Sequence, residues 1–361
     1  MTSIAARRVL TANGWRERCV VHVDSGSISA VESAAGPVPD LTLVPGFVDL
    51  QVNGIDDVDI STADGNDWTR LDHLLLQQGV TSWCPTLVTM PLDGYGAPLG
   101  RIAAAMDRPA AGRPHIIGAH LEGPFLGAAA GAHRPDLIVS IDMEWIDELP
   151  DHVRLMTLGA EQPDAPAAVA LLTERGVLVA VGHTHADAAQ FGAAVDAGAG
   201  LVTHLFNAMS GVHHRQPGVA VFAMTEPRVA VSIIADGIHV HPSVVQLAFA
   251  AVGPRAVLVT DAVAWRSGRV GSIGVTMRDG APRLPDGTLA GSALTMDAAI
   301  RNCVAAGIEL DDAVRAASTA PARRIGLTDR GAIAAGMRAD LVALDSELHV
   351  KQTWVAGEPA D

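Results

Sequence analysis

The chain has 361 residues, which is long enough for one large α/β barrel with a small additional unit. Hydrophobic residues make up 49% of it and charged residues 18%, a balance that excludes a disordered chain. Because the net charge is −15 and no basic stripe is present, nucleic acid and anionic membrane are excluded as expected partners.

Short β-strands are predicted at both ends of the chain. Within residues 1–44, the segments RRVLTA and RCVVHVDSGSISAVES alternate apolar and polar positions between turn residues. Residues 331–361 show the same pattern. We expect the two ends to pair into one small β-unit and residues 45–330 to form the central body.

The central body contains eight apolar, strand-like runs, each followed by a helix-compatible stretch. In chain order they are LVPGFVDL, GVTSWCPT, HIIGAHLE, VRLMTLGA, VLVAVGHT, GLVTHLF, VAVSIIAD and AVLVTDA. This alternation predicts an α/β fold of the (β/α)₈ TIM-barrel class, whose active sites lie at the carboxyl ends of the strands.

Polar residues that can bind metals follow these runs repeatedly. They are Asp49, Gln51, Asn53, Thr86, Glu122, Glu161, His183, His204, Asp236, His239 and Asp261. Any one of them has an ordinary explanation, because a strand must end in polar residues somewhere. Their recurrence at the ends of a predicted barrel indicates one shared site.

Glu122, His183 and His204 offer one carboxylate and two imidazoles, a donor set suited to one divalent ion with an open position for water. We expect Zn²⁺, with Fe²⁺, Mn²⁺ and Co²⁺ as alternatives. Asp261 ends the eighth predicted strand and is the candidate for proton transfer from that water to a leaving nitrogen. For His185, ligation and a surface position both stay open.

Lys351 is the only lysine of the chain and lies near its end. Mechanisms that need a lysine inside the site are therefore excluded, including Schiff-base chemistry and a carboxylated-lysine metal bridge. Cys19, Cys84 and Cys303 are odd in number and lack CxxC spacing, so we expect no disulfide framework and a cytoplasmic protein. Neither an export signal nor a membrane span is recognised.

The motifs PGFVDLQVNG, HLEGPF, GHTHA, THLFNAMSG, IIADGIHV, VTDA and GTLAGSALTM occur in this order, followed by GAIAAGMRADLVALD. Together they resemble the N-acetylglucosamine-6-phosphate deacetylases of the amidohydrolase superfamily, over nearly the whole chain. The resemblance implies a distorted (β/α)₈ barrel with a small β-sandwich domain formed by both chain ends.

The resemblance also implies roles for individual residues. It places the metal ligands on Glu122, His183 and His204 and the acid/base on Asp261. His133 corresponds to a histidine of a mobile loop near the substrate carbonyl. The residues it places around the sugar phosphate are Asn207, Ala208, Arg215 and His239, with Arg215 reaching across a homodimer interface.

Gln51 and Asn53 stand where many amidohydrolases have a His-x-His motif after the first strand. Amides are weak metal ligands, so we interpret these two residues as remnants of a second metal site and expect one ion per chain. The nearby Asp56, Asp57 and Asp59 are expected to form a solvated loop.

The sequence therefore predicts hydrolysis of the N-acetyl group of N-acetyl-D-glucosamine 6-phosphate to glucosamine 6-phosphate and acetate. Two alternatives stay open at this point. One is an amidohydrolase acting on another N-acyl sugar phosphate, a cyclic amide or a deaminase substrate. The other is a barrel without catalytic activity.

Overall fold

The computed structural model describes residues 2–109 and 111–360, so the outermost residues of the predicted end unit, Met1 and Asp361, lie outside it. Within the described residues, no helix is long and apolar enough to cross a membrane.

The eight predicted strands form one nearly closed parallel barrel, which confirms the predicted fold class. Their bounds are Phe47–Val52, Val80–Val88, Ala119–Glu122, Val153–Leu158, Leu178–Val181, Leu201–Val202, Ala230–Ile233 and Ala256–Leu258. All six residues of the first strand and all nine of the second are buried. Because parallel strands of a barrel are covered on both faces, they read as continuous apolar runs instead of alternating ones.

Backbone hydrogen bonds close the barrel between its first strand and the segment after its eighth. The Asp261 N–H donates to the Gln51 carbonyl at 3.0 Å, and the Asn53 N–H donates to the Ala262 carbonyl at 2.8 Å. This closure brings together residues about 210 positions apart in sequence, so the end of the first strand lies directly beside Asp261.

Helices follow most barrel strands and cover the outside of the barrel. Their bounds are Asn66–Gln77, Gly96–Met106, Met143–Asp147, Ala165–Glu174, Ala188–Asp196, Val219–Thr225, Pro242–Val252, Met296–Ala305, Leu310–Ala317 and Thr319–Arg324. The helix that begins at Ala188 shows why the chain turns there. The Asp187 side chain accepts hydrogen bonds from the N–H groups of Ala189 and Gln190, and Gln190 binds back to the Asp187 N–H in a capping box.

The two chain ends pair into one mixed sheet of seven strands, which we call the end sheet. Its strands are Thr2–Thr11, Gly14–Asp24, Ser27–Ser33, Thr42–Pro45, Leu341–Leu344, Val350–Val355 and Glu358–Pro359. Thr42–Pro45 joins the strands of the two chain ends, because it pairs with Thr2–Thr11 on one side and with Leu341–Leu344 on the other.

The first predicted run, LVPGFVDL, is wrong as a single strand. It divides at Gly46 into the end-sheet strand Thr42–Pro45 and the barrel strand Phe47–Val52. A Cβ atom at position 46 would lie 2.3 Å from the Thr81 hydroxyl oxygen, so only glycine allows this close approach to the second barrel strand.

Two short hairpins over the carboxyl end of the barrel were not predicted. They lie in residues 264–291, which we call the roof segment, and pair Arg269–Val270 with Ile273–Gly274 and Thr276–Arg278 with Ala281–Arg283. Val270, Ile273 and Ala290 of this segment pack with Val88 and Val263 in a separate small apolar cluster. The remaining short strands are Gly54–Ile55, Val58–Asp59 and His115–Ile116.

Candidate active site

A cavity of about 180 Å³ lies at the carboxyl ends of the barrel strands, beneath the roof segment. It gathers most of the residues singled out in the sequence. The predicted residues in its wall are Asn53, Glu122, His133, His183, His204, Asn207, Ala208, His239 and Asp261. Gln51 is buried immediately behind the wall, whereas Arg215 lies outside it in an exposed loop.

Three side chains converge on one point of this cavity. Oε1 of Glu122 lies 3.2 Å from Nε2 of His183 and 3.0 Å from Nε2 of His204, and the two Nε2 atoms are 3.1 Å apart. Ligands held about 2.1 Å from one Zn²⁺ ion lie roughly 3 to 3.4 Å from each other. The spacing therefore fits a shared divalent cation.

The protonation of His183 supports the same conclusion. Its Nδ1 lies 3.1 Å from the carbonyl oxygen of Ala129, which can only accept, so Nδ1 carries the proton. The Nε2 atom of the neutral ring then presents a lone pair to the Glu122 carboxylate. Burial, followed by the charge of His133, lowers the pKa of His183 and favours this neutral form. Lone pairs that face one another at about 3 Å repel unless a cation lies among them.

Glu122 is fully enclosed yet ionised. Burial acts to raise the pKa of Glu122, but the surrounding imidazoles of His133, His183 and His204 outweigh burial and hold the pKa well below its usual range. The Nε2 atom of His133 lies 3.7 Å from Oε2, the second oxygen of Glu122. Glu122, His133 and His183 also offer three possible ligand atoms within 4.8 Å of one another. His133, which the resemblance placed near the substrate carbonyl, therefore lies beside the metal-binding group as well.

His133 is held in place by Thr89, a residue that the sequence analysis did not select. Nδ1 of His133 is 2.8 Å from the Thr89 hydroxyl oxygen. Its ring packs edge-on against His183, with the ring centroids 4.4 Å apart. His133 is buried and forms part of the cavity wall.

Gln51 and Asn53 act here as hydrogen-bond donors to the carboxylates. The Gln51 amide nitrogen donates to Glu122 at 2.9 Å and to Asp261 at 3.1 Å, and the Asn53 amide nitrogen donates to Asp261 at 2.7 Å. Donor groups turned towards both carboxylates are poor surroundings for a second cation. They instead link the candidate acid/base to the metal-binding group.

The hydrogen bonds to the Asp261 side chain use only one of its oxygens. Both amide nitrogens bind Oδ1, and among the described residues no hydrogen bond engages Oδ2. Burial and the neighbouring Glu122 charge raise the pKa of Asp261 to about 8, and a nearby cation would act in the opposite direction. One oxygen thus fixes the carboxyl group while the other can exchange a proton.

Three site residues have left-handed backbone conformations, which non-glycine residues rarely adopt. The φ angles are 48° at His183, 31° at His204 and 49° at Asp261. Such positions cost about 1 to 3 kcal/mol each and occur mostly where function requires them. All three lie just after a barrel strand, where the distortion turns the side chain into the cavity.

The residues expected around a phosphate are only partly together. His239 lines the cavity, and its Nδ1 is 2.7 Å from the carboxylate of Asp236, which fixes the ring. The Asn207 side chain donates to the carbonyls of His204 and Leu205 and so stabilises its own turn. Arg215 is exposed beside His214, with 2.8 Å between its Nη1 and the His214 Nε2.

His120 and Thr157 form a polar layer beneath the site that the sequence analysis missed. His120 is buried between the Leu50 carbonyl, at 3.1 Å, and the Thr157 hydroxyl, at 2.8 Å. The alternation of a β-strand was the available signal, because residues two apart such as His120 and Glu122 point to the same side.

Of the two roles left open for His185, the structure supports the surface position, because its side chain is exposed and does not bind in the cavity.

Known proteins resemble this chain over nearly its whole length. The amidohydrolase family profile matches residues 42–360. The chain is 37% identical to the N-acetylgalactosamine-6-phosphate deacetylase of Escherichia coli O157:H7, covering 99% of this chain and 98% of that protein. It is 33% identical to the N-acetylglucosamine-6-phosphate deacetylase of Vibrio furnissii, covering 98% and 93%.

A solved structure shows the same architecture. It is the N-acetyl-D-glucosamine-6-phosphate deacetylase of Mycobacterium smegmatis in complex with N-acetyl-D-glucosamine 6-phosphate. The TM-score is 0.91 at 35% sequence identity, covering 99% of this chain and 98% of that one. The chain therefore belongs to the amidohydrolase family and, within it, to the N-acetylglucosamine-6-phosphate deacetylases.

Proposed function

We propose that this chain hydrolyses the acetamide of N-acetyl-D-glucosamine 6-phosphate, giving glucosamine 6-phosphate and acetate. One observation carries the proposal: three converging metal-binding atoms lie beside a carboxyl group that has one fixed and one available oxygen. A barrel without catalytic activity has no need for this arrangement or for the three strained backbone positions.

Glu122, His183 and His204 would hold a divalent cation, which supplies polarisation of the substrate carbonyl and a lowered pKa of bound water. Asp261 accepts a proton from the attacking water through Oδ2 as the water oxygen bonds to the carbonyl carbon. When the carbon–nitrogen bond breaks, the same oxygen returns the proton to the amine nitrogen. Gln51 and Asn53 keep the carboxyl group oriented during both transfers.

The N-acetylgalactosamine 6-phosphate isomer is a second candidate substrate, favoured by the E. coli relative of that specificity. Both candidates can be compared by measuring acetate release from each N-acetylhexosamine, with and without the 6-phosphate, and from a cyclic amide. We expect the phosphorylated sugars to be preferred, because two hydrogen-bond donors for a phosphate lie at the cavity wall. They are His239 and the backbone N–H of Ala208, which has no acceptor among the described residues. A faster reaction with the cyclic amide would overturn the proposal.

One metal ion per chain is expected. After mild chelation, back-titration with Zn²⁺ should restore full activity at about one equivalent. The reason is that the amides of Gln51 and Asn53 lie where a second metal ion would need ligands, and they donate hydrogen bonds there instead. Elemental analysis of the reactivated enzyme measures the ratio, and parallel titrations with Fe²⁺, Mn²⁺ and Co²⁺ rank the ions. A need for two equivalents would contradict this expectation.

The cavity wall contains no arginine or lysine among the described residues, although a phosphate group carries two charges. We infer that Arg215 enters the cavity of a second copy in a homodimer, which would supply the missing cation. The exposed loop around Arg215 supports this arrangement, since its Val212 is 58% exposed.

Cys19, Cys84 and Cys303 are unpaired and buried, which fits the cytoplasm as the location.

Mixed dimers test the position of Arg215. Arg215→Ala and Asp261→Asn should each be nearly inactive, but a mixed dimer retains one site with both groups intact. Random co-refolding of equal amounts should therefore restore about a quarter of wild-type activity, since about half of the dimers are mixed. The control is the same mixture without refolding. If confirmed mixed dimers stay inactive, Arg215 does not act across the interface.

A further inference from the structure

A second and larger cavity lies at the opposite end of the barrel from the active site. Its volume is about 410 Å³, within the range of small-molecule sites. Ala230 and Ala256 line it, and they are the first residues of the seventh and eighth barrel strands. The cavity is therefore separated from Asp261 by the length of the barrel. We call it the closed-end cavity.

The wall of the closed-end cavity is cationic, although the chain as a whole carries −15. Four of its twelve residues are arginines: Arg255, Arg315, Arg323 and Arg324. Among the described residues, the only carboxylate in the wall is that of Asp312. An acidic chain that gathers arginines around one concave surface creates a local positive potential there, which attracts small anions.

The four arginines are not all explained by the fold. Arg255 is a structural residue, because its guanidinium donates to four backbone carbonyls, including those of Ala223 and Met224 in the last turn of a helix. Arg315 pairs with Asp311 at 2.7 Å. The contacts of Arg255 and Arg315 within the fold therefore leave Arg323 and Arg324 as the groups available to a ligand.

Arg323 and Arg324 retain unused donors. Arg324 donates one nitrogen to the Arg228 carbonyl at 3.2 Å. The Arg323 side chain is exposed, and within the described part of the chain no hydrogen bond or ion pair engages its guanidinium. Burial, followed by the positive charge of Arg255, lowers the pKa of Arg324. The like charges of Arg255 and Arg324 thus lie close together, and the exposed Asp312 is the one carboxylate of the described residues in the same wall, so a bound anion would relieve that repulsion.

We propose that the closed-end cavity binds a small phosphate-bearing anion through Arg323 and Arg324. Guanidinium groups bind phosphate oxygens with paired, charge-assisted hydrogen bonds, and both Arg323 and Arg324 line the cavity. The concave shape and volume favour a small ligand over a nucleic-acid strand, which also conflicts with the net charge. The site does not depend on the proposed deacetylase activity.

Calorimetric titration of the metal-loaded enzyme with inorganic phosphate and, separately, with glucose 6-phosphate tests this site. Glucose 6-phosphate has no amide and is not consumed. Arg323→Glu should weaken binding at least tenfold, because it removes the unpaired guanidinium and adds repulsion. Arg7→Glu is the matched control: it makes the same charge change at an exposed arginine of the end sheet and should leave binding unchanged. The tighter of the two probes identifies free phosphate or a sugar phosphate as the source.

A second variant distinguishes binding at the closed-end cavity from binding at the active site. His239→Gln weakens phosphate binding at the catalytic cavity but should leave the closed-end binding event intact. Loss of all phosphate binding in His239→Gln would overturn the proposal, and so would equal affinities of wild type and Arg323→Glu. Melting temperatures of the free proteins show that Arg323→Glu is folded, and its kcat should equal that of wild type.

Discussion

Replacing Asp261 by asparagine is expected to lower kcat by on the order of 10² to 10⁴, the usual effect of losing a positioned acid/base. The asparagine side chain keeps an oxygen for the hydrogen bonds from Gln51 and Asn53, so the site geometry is preserved. It cannot take up the proton of the attacking water. Metal content should remain near that of wild type, because the three converging ligand atoms are untouched.

Acetate release and elemental analysis on the same preparations measure both quantities. Asp72→Asn is the matched control, because it removes another buried carboxylate that lies outside the cavity and pairs with Arg108. It should reduce stability but not kcat. If Asp261→Asn keeps more than about a tenth of wild-type turnover, Asp261 is not the group that moves the proton.

Replacing His183 or His204 by alanine is expected to remove the metal ion itself. Each change deletes one of three donor atoms that lie within 3.2 Å of each other, and the two remaining ligands are too few for a stable site. We expect the metal content to fall below about a tenth of an ion per chain and turnover to fall to background. Elemental analysis after gel filtration gives the ratio directly.

His185→Ala provides the control for these two variants. It removes an imidazole only two residues from His183, but this side chain is exposed and outside the cavity wall. The variant should keep one ion and full activity. The ligand assignment would be wrong if His183→Ala and His204→Ala both bound metal as wild type does.

The sequence alone determined the barrel strands and most of the polar residues that line the cavity, because both depend on local patterns. Buried parallel strands read as apolar runs, and polar residues at their ends identified Glu122, His183, His204 and Asp261. All eight strands were found in this way, apart from the break at Gly46. That break follows from close contact with Thr81, 35 positions later, which no local pattern reports.

The tertiary structure decided what depends on atoms distant in sequence. Only closure of the barrel turned the Gln51 and Asn53 amides into donors that link Glu122 to Asp261. Folding likewise fixed the His183 proton on Nδ1, buried His120 beneath the site and placed the roof segment above it. In the closed-end cavity, only the fold brings Arg255 to Arg315, Arg323 and Arg324, which lie on two later helices. Hydrogen bonds and electrostatic fields act through space, so a sequence states which groups exist and the fold determines which of them meet.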